Sequence, residues 1–204
     1  MLRLHDYLPS GNGYKVRLLL AHLGQRYELR EYDVAMGETR TAAFLERVNA
    51  NGRVPVLELD DGRMLPESNA ICWYLGEGTP FLSTDALERA QTLRWMCFEQ
   101  YSHEPHIATL RFWLTHATVD LSGWRAELVA EKRALGAAAL AVMEDHLAEH
   151  AFFVGGRYSI ADVALYAYTH VAGEAGFDME PYPAVRGWLG RVAAQPGHVA
   201  ITDR

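Results

Sequence analysis

Residues 2–24 read LRLHDYLPSGNGYKVRLLLAHLG, and the way this stretch divides decides the fold. Its first part, LRLHDY (2–7), has the look of a strand. Its last part places Val16, Leu19, Leu20 and Leu23 at helical spacing and stops at Gly24, so a helix is expected over 14–24. Ser10, Gly11, Asn12 and Gly13 sit at the junction. A serine there is a natural N-cap, and the glycines allow a tight turn. The same geometry has a second use. A helix N-terminus carries free N–H groups and about half a positive charge, so an anion such as a thiolate is stabilised there. A Ser10 hydroxyl or an Asn12 amide could donate to it and lower a thiol pKa.

Outward from this junction the chain keeps alternating. YELREYDV (27–34) reads as a half-buried strand, and TAAFLERV (41–48) as a short helix. VPVLELDDGRML (54–65) reads as a hairpin, because Asp-Gly between two apolar alternations is a strong turn signal. ESNAICWYLGE (67–77) reads as a helix. The order is βαβαββα, and the helix between the first two strands argues for a parallel pair in an α/β layer. GEGTPFLSTD (76–85) then shifts to glycine, proline and small polar residues. We therefore expect an α/β domain over 1–76, a linker over 77–85 and an all-α domain over 86–204.

The second part shows no strand pattern. A long helical stretch is expected over 86–116, kinked or broken by Pro105. In 124–150, Trp124, Leu128, Leu135, Val142 and Leu147 suggest one buried helix face. SIADVALYAYTHVA (159–172) is apolar nearly all round, as a central helix would be, and Ser159-x-x-Asp162 is a capping box. AVRGWLGRVAAQP (184–196) is a last short helix.

Composition narrows the function. The net charge of −7 argues against a nucleic-acid partner, which would want a basic face. No apolar run approaches the ~20 residues of a membrane helix, and the start lacks a secretory signal, so a cytoplasmic location is expected. Cys72 and Cys97 are far apart and set in apolar helical surroundings, which reads as two small buried hydrophobes. The nine histidines lack a third ligand at metal spacing, so no metal is expected.

Three further stretches offer chemistry. In GRVPVL (52–57), Arg53 could clamp a carboxylate, and a cis Val54–Pro55 bond would turn the Val54 backbone outward to pair with an extended peptide. An ordinary trans proline opening a strand is the alternative, favoured by frequency. In LPESNAI (65–71), Ser68 and the free N–H groups beside it could bind a carboxylate while Glu67 takes an ammonium, or either residue could merely cap the helix. In FEQYSHEPHIATLRFW (98–113), some aromatic residues could line an apolar pocket, although for any single one plain core is the simpler assignment.

SGNGYKVRLLLAHLG, NANGRVPVLELDDG, LPESNAICWYLGEGTPFL and SIADVALYAY, in this order and spacing, resemble the cytosolic glutathione transferase family over essentially the whole chain. The Ser10 and Asn12 signature is similar to the bacterial, theta-like and nu-like branches, although Tyr7 leaves a tyrosine role open. The resemblance implies a thioredoxin-like N-terminal domain that binds glutathione, a helical C-terminal domain that supplies a second-substrate pocket, and a homodimer. By position, Ser10 and Asn12 would face the glutathione sulfur. Val54, before a cis Pro55, would pair with the cysteinyl backbone. Glu67 and Ser68 would hold the γ-glutamyl end, and Arg53 with Thr39 or Arg40 the glycine end. Tyr101, His103, Phe112 and Trp113 would belong to the second-substrate pocket, and Asp162 would be a structural cap. Asn49-Ala50 stands where the family often has Asn-Pro, and no cysteine takes the place of Ser10. The activity implied is conjugation of a glutathione thiolate to a hydrophobic electrophile, as in detoxification. The alternatives are a glutathione-dependent disulfide or peroxide reductase on the same site, and a glutathione-binding protein without turnover.

Overall fold

Strand β1 (Leu2–Asp6) pairs in parallel with β2 (Tyr27–Glu31) and antiparallel with β3 (Val56–Glu58), which pairs antiparallel with β4 (Met64–Pro66). The sheet order is β2-β1-β3-β4. Helix α1 (Gly11–His22) is the crossover between the parallel strands, α2 (Ala42–Arg47) leads to β3, and α3 (Ser68–Gly76) follows β4. The observed order is the expected βαβαββα. The computed structural model describes residues 1–115 and 120–204, in two units: Met1–Thr79 with Pro196–Arg204, and Pro80–Gln195.

The first unit closes on Leu4, Val16, Leu20, Leu57 and Ile71, all fully buried. Leu4 and Leu57 are cross-strand partners, and the others come from α1 and α3. Burying each such side chain stabilises the fold by about 1.5–3 kcal/mol. Strand β2 ends at Glu31 and does not reach Val34, because the Glu38 N–H bonds the Asp33 carbonyl while the Asp33 N–H bonds the Glu38 carboxylate, folding 33–38 into a loop. The Asp61-Gly62 turn joins β3 to β4, with Gly62 at φ +83°.

The last nine residues group with this unit, whereas the sequence suggested the helical one. The cause is α1. Arg17 Nη1 donates to the carbonyls of Ile201 and Asp203, each at 2.9 Å, and the Tyr14 hydroxyl donates to the Val199 carbonyl at 2.7 Å.

The second unit is helical: α4 (Ala86–Phe98), a π-helical turn (Glu99–His103), α5 (Glu104–Thr115), α6 (Trp124–Glu149), α7 (Ile160–Thr169), a 3₁₀ turn (Ala172–Ala175) and α8 (Pro183–Ala193). Pro105 does not break the helical path. It sits in the first turn of α5, where its missing N–H costs little, and the π-helical turn just before it absorbs the change of register. Residue 116, the last of the expected helical stretch, lies outside the described residues.

Two expectations fail here. The buried face of α6 is Gly136, Ala139, Leu140, Met143 and Leu147, while Trp124, Leu135 and Val142 are exposed. Part of the contact face is close-packed and uses small residues that a search for large apolar ones misses: a Cβ on Gly136 would lie 2.4 Å from Phe177 Cζ. Cys72 is buried as expected, but Cys97 is exposed. The capping box is present. The fully buried Asp162 carboxylate accepts from the Ser159 N–H and hydroxyl, the Phe153 N–H and Trp188 Nε1. No helix among the described residues is long and apolar enough to cross a membrane.

Candidate functional site

Helices α1 and α3 share one apolar core, and this brings their first turns together. Ser10 caps α1, its hydroxyl oxygen accepting from the Gly13 N–H at 3.3 Å. Asn12, in the first turn, accepts at Oδ1 from the Ser68 hydroxyl at 3.3 Å. Ser68 opens α3 and is nearly buried. Lys15, fully buried, donates from Nζ to Ser68 Oγ and to Asn69 Oδ1, each at 3.4 Å. Two helix N-termini, an amide, a hydroxyl and an ammonium thus concentrate donors and positive potential, an arrangement that favours bound anions.

This corner is supported from beneath by Asp6. Its carboxylate accepts from the Tyr7 N–H at 2.7 Å and from Arg17 Nε at 2.9 Å, and both Asp6 and Arg17 are enclosed. Burial pushes the Asp6 carboxyl up to about 6, outweighing the opposing effect of the Arg17 charge. Gly13 is required by the same packing, since a Cβ there would fall 1.6 Å from Asp6 Oδ1.

Glu67 precedes α3 at φ 75° and ψ 110°, and it is the one residue other than glycine with positive φ among the described residues. That backbone is unfavourable for a side-chain-bearing residue and is typically kept where function uses it. Its side chain makes no cap to the helix and is exposed. Glu67 is thus the N-cap residue of α3 by its backbone, its carbonyl accepting from the Ile71 N–H at 2.9 Å, and not by its side chain.

The Val54–Pro55 bond is cis. Pro55 is buried, Val54 half-buried and Arg53 exposed. The loop before them is tied down by Asn49, whose Nδ2 donates to the Arg53 carbonyl at 3.0 Å, and by Arg40, whose Nη1 donates to the Asn51 carbonyl at 3.1 Å. Gly52, at φ +64°, makes the close approach possible, for a Cβ there would lie 2.6 Å from Arg40 Nη1. Arg40 is thus joined to the loop of Arg53 and Val54, whereas Thr39 is enclosed.

The four residues expected at a second-substrate pocket have different surroundings. Tyr101 and Phe112 are exposed, and Trp113 is half-buried with Lys132 Nζ 5.8 Å from its ring centre. His103 is fully buried and meets Thr169 Oγ1 at 2.9 Å. The Thr169 hydroxyl donates to the Leu165 carbonyl, so the proton between the two side chains sits on His103 Nε2. His103 therefore joins the π-helical turn to α7. Among the described residues no group of three or more His, Cys, Asp or Glu side chains could hold a metal ion.

Lys15, Asp6 and Asn69 did not stand out in the sequence. The available signal was charge: Lys15 and Arg17 interrupt an apolar helix run at positions that prove fully buried.

Comparison with known proteins gives a consistent result. The family model described as "Glutathione S-transferase, N-terminal domain" matches residues 9–77, and "Glutathione S-transferase, C-terminal domain" matches residues 126–191. A crystal structure of a glutathione S-transferase from Pseudomonas fluorescens is 46% identical, with a TM-score of 0.94 and 99% of each chain covered. The disulfide-bond oxidoreductase YfcG of Escherichia coli is 29% identical over 198 residues, 93% of this chain and 89% of that protein. Ure2p in complex with glutathione superposes with a TM-score of 0.85 at 25% identity, over 96% of this chain and 90% of that one.

Proposed function

The chain belongs to the glutathione S-transferase family, and on that premise we propose that it is a glutathione transferase. It holds glutathione as the thiolate, and the sulfur attacks an electrophilic carbon of an apolar substrate. The observation that carries this reading is the Asn12–Ser68 hydrogen bond at 3.3 Å, which joins the expected thiol donor to the expected γ-glutamyl contact. A tripeptide with a thiol between two carboxylate ends suits such a layout. The N–H groups of the first turn of α3 hold the γ-glutamyl carboxylate, and the exposed Glu67 takes its ammonium. Val54, beside Pro55, pairs with the cysteinyl backbone. Arg53 and Arg40 receive the glycine carboxylate. Asn12 and Ser10 stand at the sulfur. A hydrogen bond plus the helix field contributes about 1–3 kcal/mol to ionising the thiol. Tyr101, Phe112 and Trp113 of the helical unit offer aromatic surface to the electrophile. The working form is a cytoplasmic homodimer.

The test titrates the thiolate absorbance of bound glutathione in the wild type, Ser10→Ala and Asn12→Ala. We expect the thiol pKa to rise by about one unit in Asn12→Ala, which is about 1.4 kcal/mol. An unchanged pKa in both variants would defeat the assignment.

A second reading, reduction of glutathione-accepting disulfides or peroxides at the same site, is favoured by the similarity to the oxidoreductase. Turnover of a model mixed disulfide set against a chlorinated aromatic separates the two. A rate confined to the disulfide replaces conjugation with reduction.

A further inference from the structure

A lysine ammonium has three hydrogens to donate and no lone pair to accept with. This elementary asymmetry gives direction to the side chains around Lys15. Lys15 Nζ lies 3.4 Å from Ser68 Oγ, so Ser68 is the acceptor in that contact. The single Ser68 proton then goes to Asn12 Oδ1 at 3.3 Å. Because Oδ1 takes the Ser68 proton, the opposite side of the Asn12 amide is its N–H side. An asparagine in the reverse orientation would aim a carbonyl oxygen at the sulfur and oppose its ionisation.

We propose that Lys15 is a positioning residue of the glutathione site. It sets the direction of a hydrogen-bond chain, Lys15 to Ser68 to Asn12, so that Asn12 presents its amide nitrogen to the thiolate. This rests on the reading of the site given under Proposed function. Burial supports it. Lys15 has no exposed surface, lies between the buried Tyr14 and Val16, and reaches across to α3. Taking an ammonium out of water is costly, and an apolar residue of similar length would pack there without that cost. The lysine also donates to Asn69 Oδ1, so one cation orients side chains on the first turn of α3 and, through Ser68, on the first turn of α1.

The test is a double-mutant cycle read by the pKa of glutathione bound at saturation, with thermal melting as a check on folding. Lys15→Met is expected to raise the bound-thiol pKa by about one unit, roughly a tenfold loss of thiolate at pH values below it. Lys15→Gln, which keeps an N–H donor without the charge, recovers part of that shift. In an Asn12→Ala background, Lys15→Met has no further effect, because Lys15 acts through Asn12. A wild-type pKa in folded Lys15→Met, or the same shift with and without Asn12, would overturn the proposal. If Lys15→Met does not fold, Ser68→Ala reads the same chain: it raises the pKa in the wild type and not in Asn12→Ala, and any other pattern overturns it. Failure of the parent protein to bind glutathione as a thiolate would instead strike the proposed function, and it is seen in the wild type before any Lys15 variant is made.

Discussion

Asp6 and Asp162, two of the fully buried carboxylates, differ in how visible they were. Asp162 was legible because its partners are local: Ser159 lies three residues away, and the pair has a sequence signature. The Lys15–Ser68 contact joins residues 53 apart, and no local pattern announces such a meeting. Burial pushes the Asp162 carboxyl up to about 6 despite its four donors. A carboxyl whose pKa is higher folded than unfolded holds its proton more tightly in the folded state. Its contribution is full below the ordinary value of 3.8 and is lost as pH rises through about 6. In Asp162→Asn we expect a loss of about 1–3 kcal/mol at pH 7, because an amide N–H is forced against the donors of Ser159. We also expect the stability difference between wild type and variant to shrink by up to roughly 3 kcal/mol from pH 4 to pH 7, since only the wild type loses the titrating group. Urea unfolding at four pH values measures this, and a constant difference would refute it. Gly13→Ala is a sharper case. Its Cβ would overlap the Asp6 carboxylate, so either the first turn of α1 or the Asp6–Arg17 pair must move. We expect a loss of about 3 kcal/mol, visible as a lowered melting temperature.

Periodicity located the strands and helices of the first unit because each presents large apolar residues to one core. It failed on α6 for the opposite reason. Close packing there selects Gly136 and Ala139, and the large residues Leu135 and Val142 are left outside. The element therefore makes two opposite predictions. Gly136→Ala should destabilise by about 1–3 kcal/mol, although alanine is the better helix former by about 1 kcal/mol, because the new Cβ meets the Phe177 ring. Phe177→Leu in the same chain should restore part of the loss. Leu135→Glu and Val142→Lys, which look like core disruptions in the sequence, should change stability by no more than about 0.5 kcal/mol. Thermal melts of the four proteins decide the matter, and a large loss in either surface variant would mean that the sequence stripe is the packed face after all. The π-helical turn between α4 and α5 was half legible in the same sense. Pro105 marked the place, but that a π-helical turn would absorb it depends on how His103 and Thr169 meet, which is tertiary.

At the scale of the chain, the change in composition near residues 76–85 was visible, and the return of residues 196–204 to the first unit was not. The bonds that hold this segment explain why. Tyr14 and Arg17 donate to backbone carbonyls of Val199, Ile201 and Asp203, and a carbonyl is the same in every residue, so no side-chain pattern records the docking. The physical consequence is nonetheless specific. Arg17 also holds Asp6 and, through Nη2, the Leu8 carbonyl at 2.6 Å, so one guanidinium links the tail to the turn that carries Ser10 and Asn12. Ending the chain after Gln195 removes both Nη1 partners and the Tyr14 partner. Water replaces them, so the loss is the net worth of these bonds, about 1–3 kcal/mol for a charged donor. A loss of about 2 kcal/mol is roughly a thirtyfold rise in opening. Amide hydrogen exchange in β1 and α1 should therefore speed up by about that factor, while α7, which makes its capping bonds inside the helical unit, keeps its wild-type rates. Bound glutathione in the shortened protein should show a raised thiol pKa, because the Asp6–Arg17 support beneath Gly13 and the first turn of α1 has loosened. Unchanged exchange in α1 would mean that the tail only covers the helix and does not brace it.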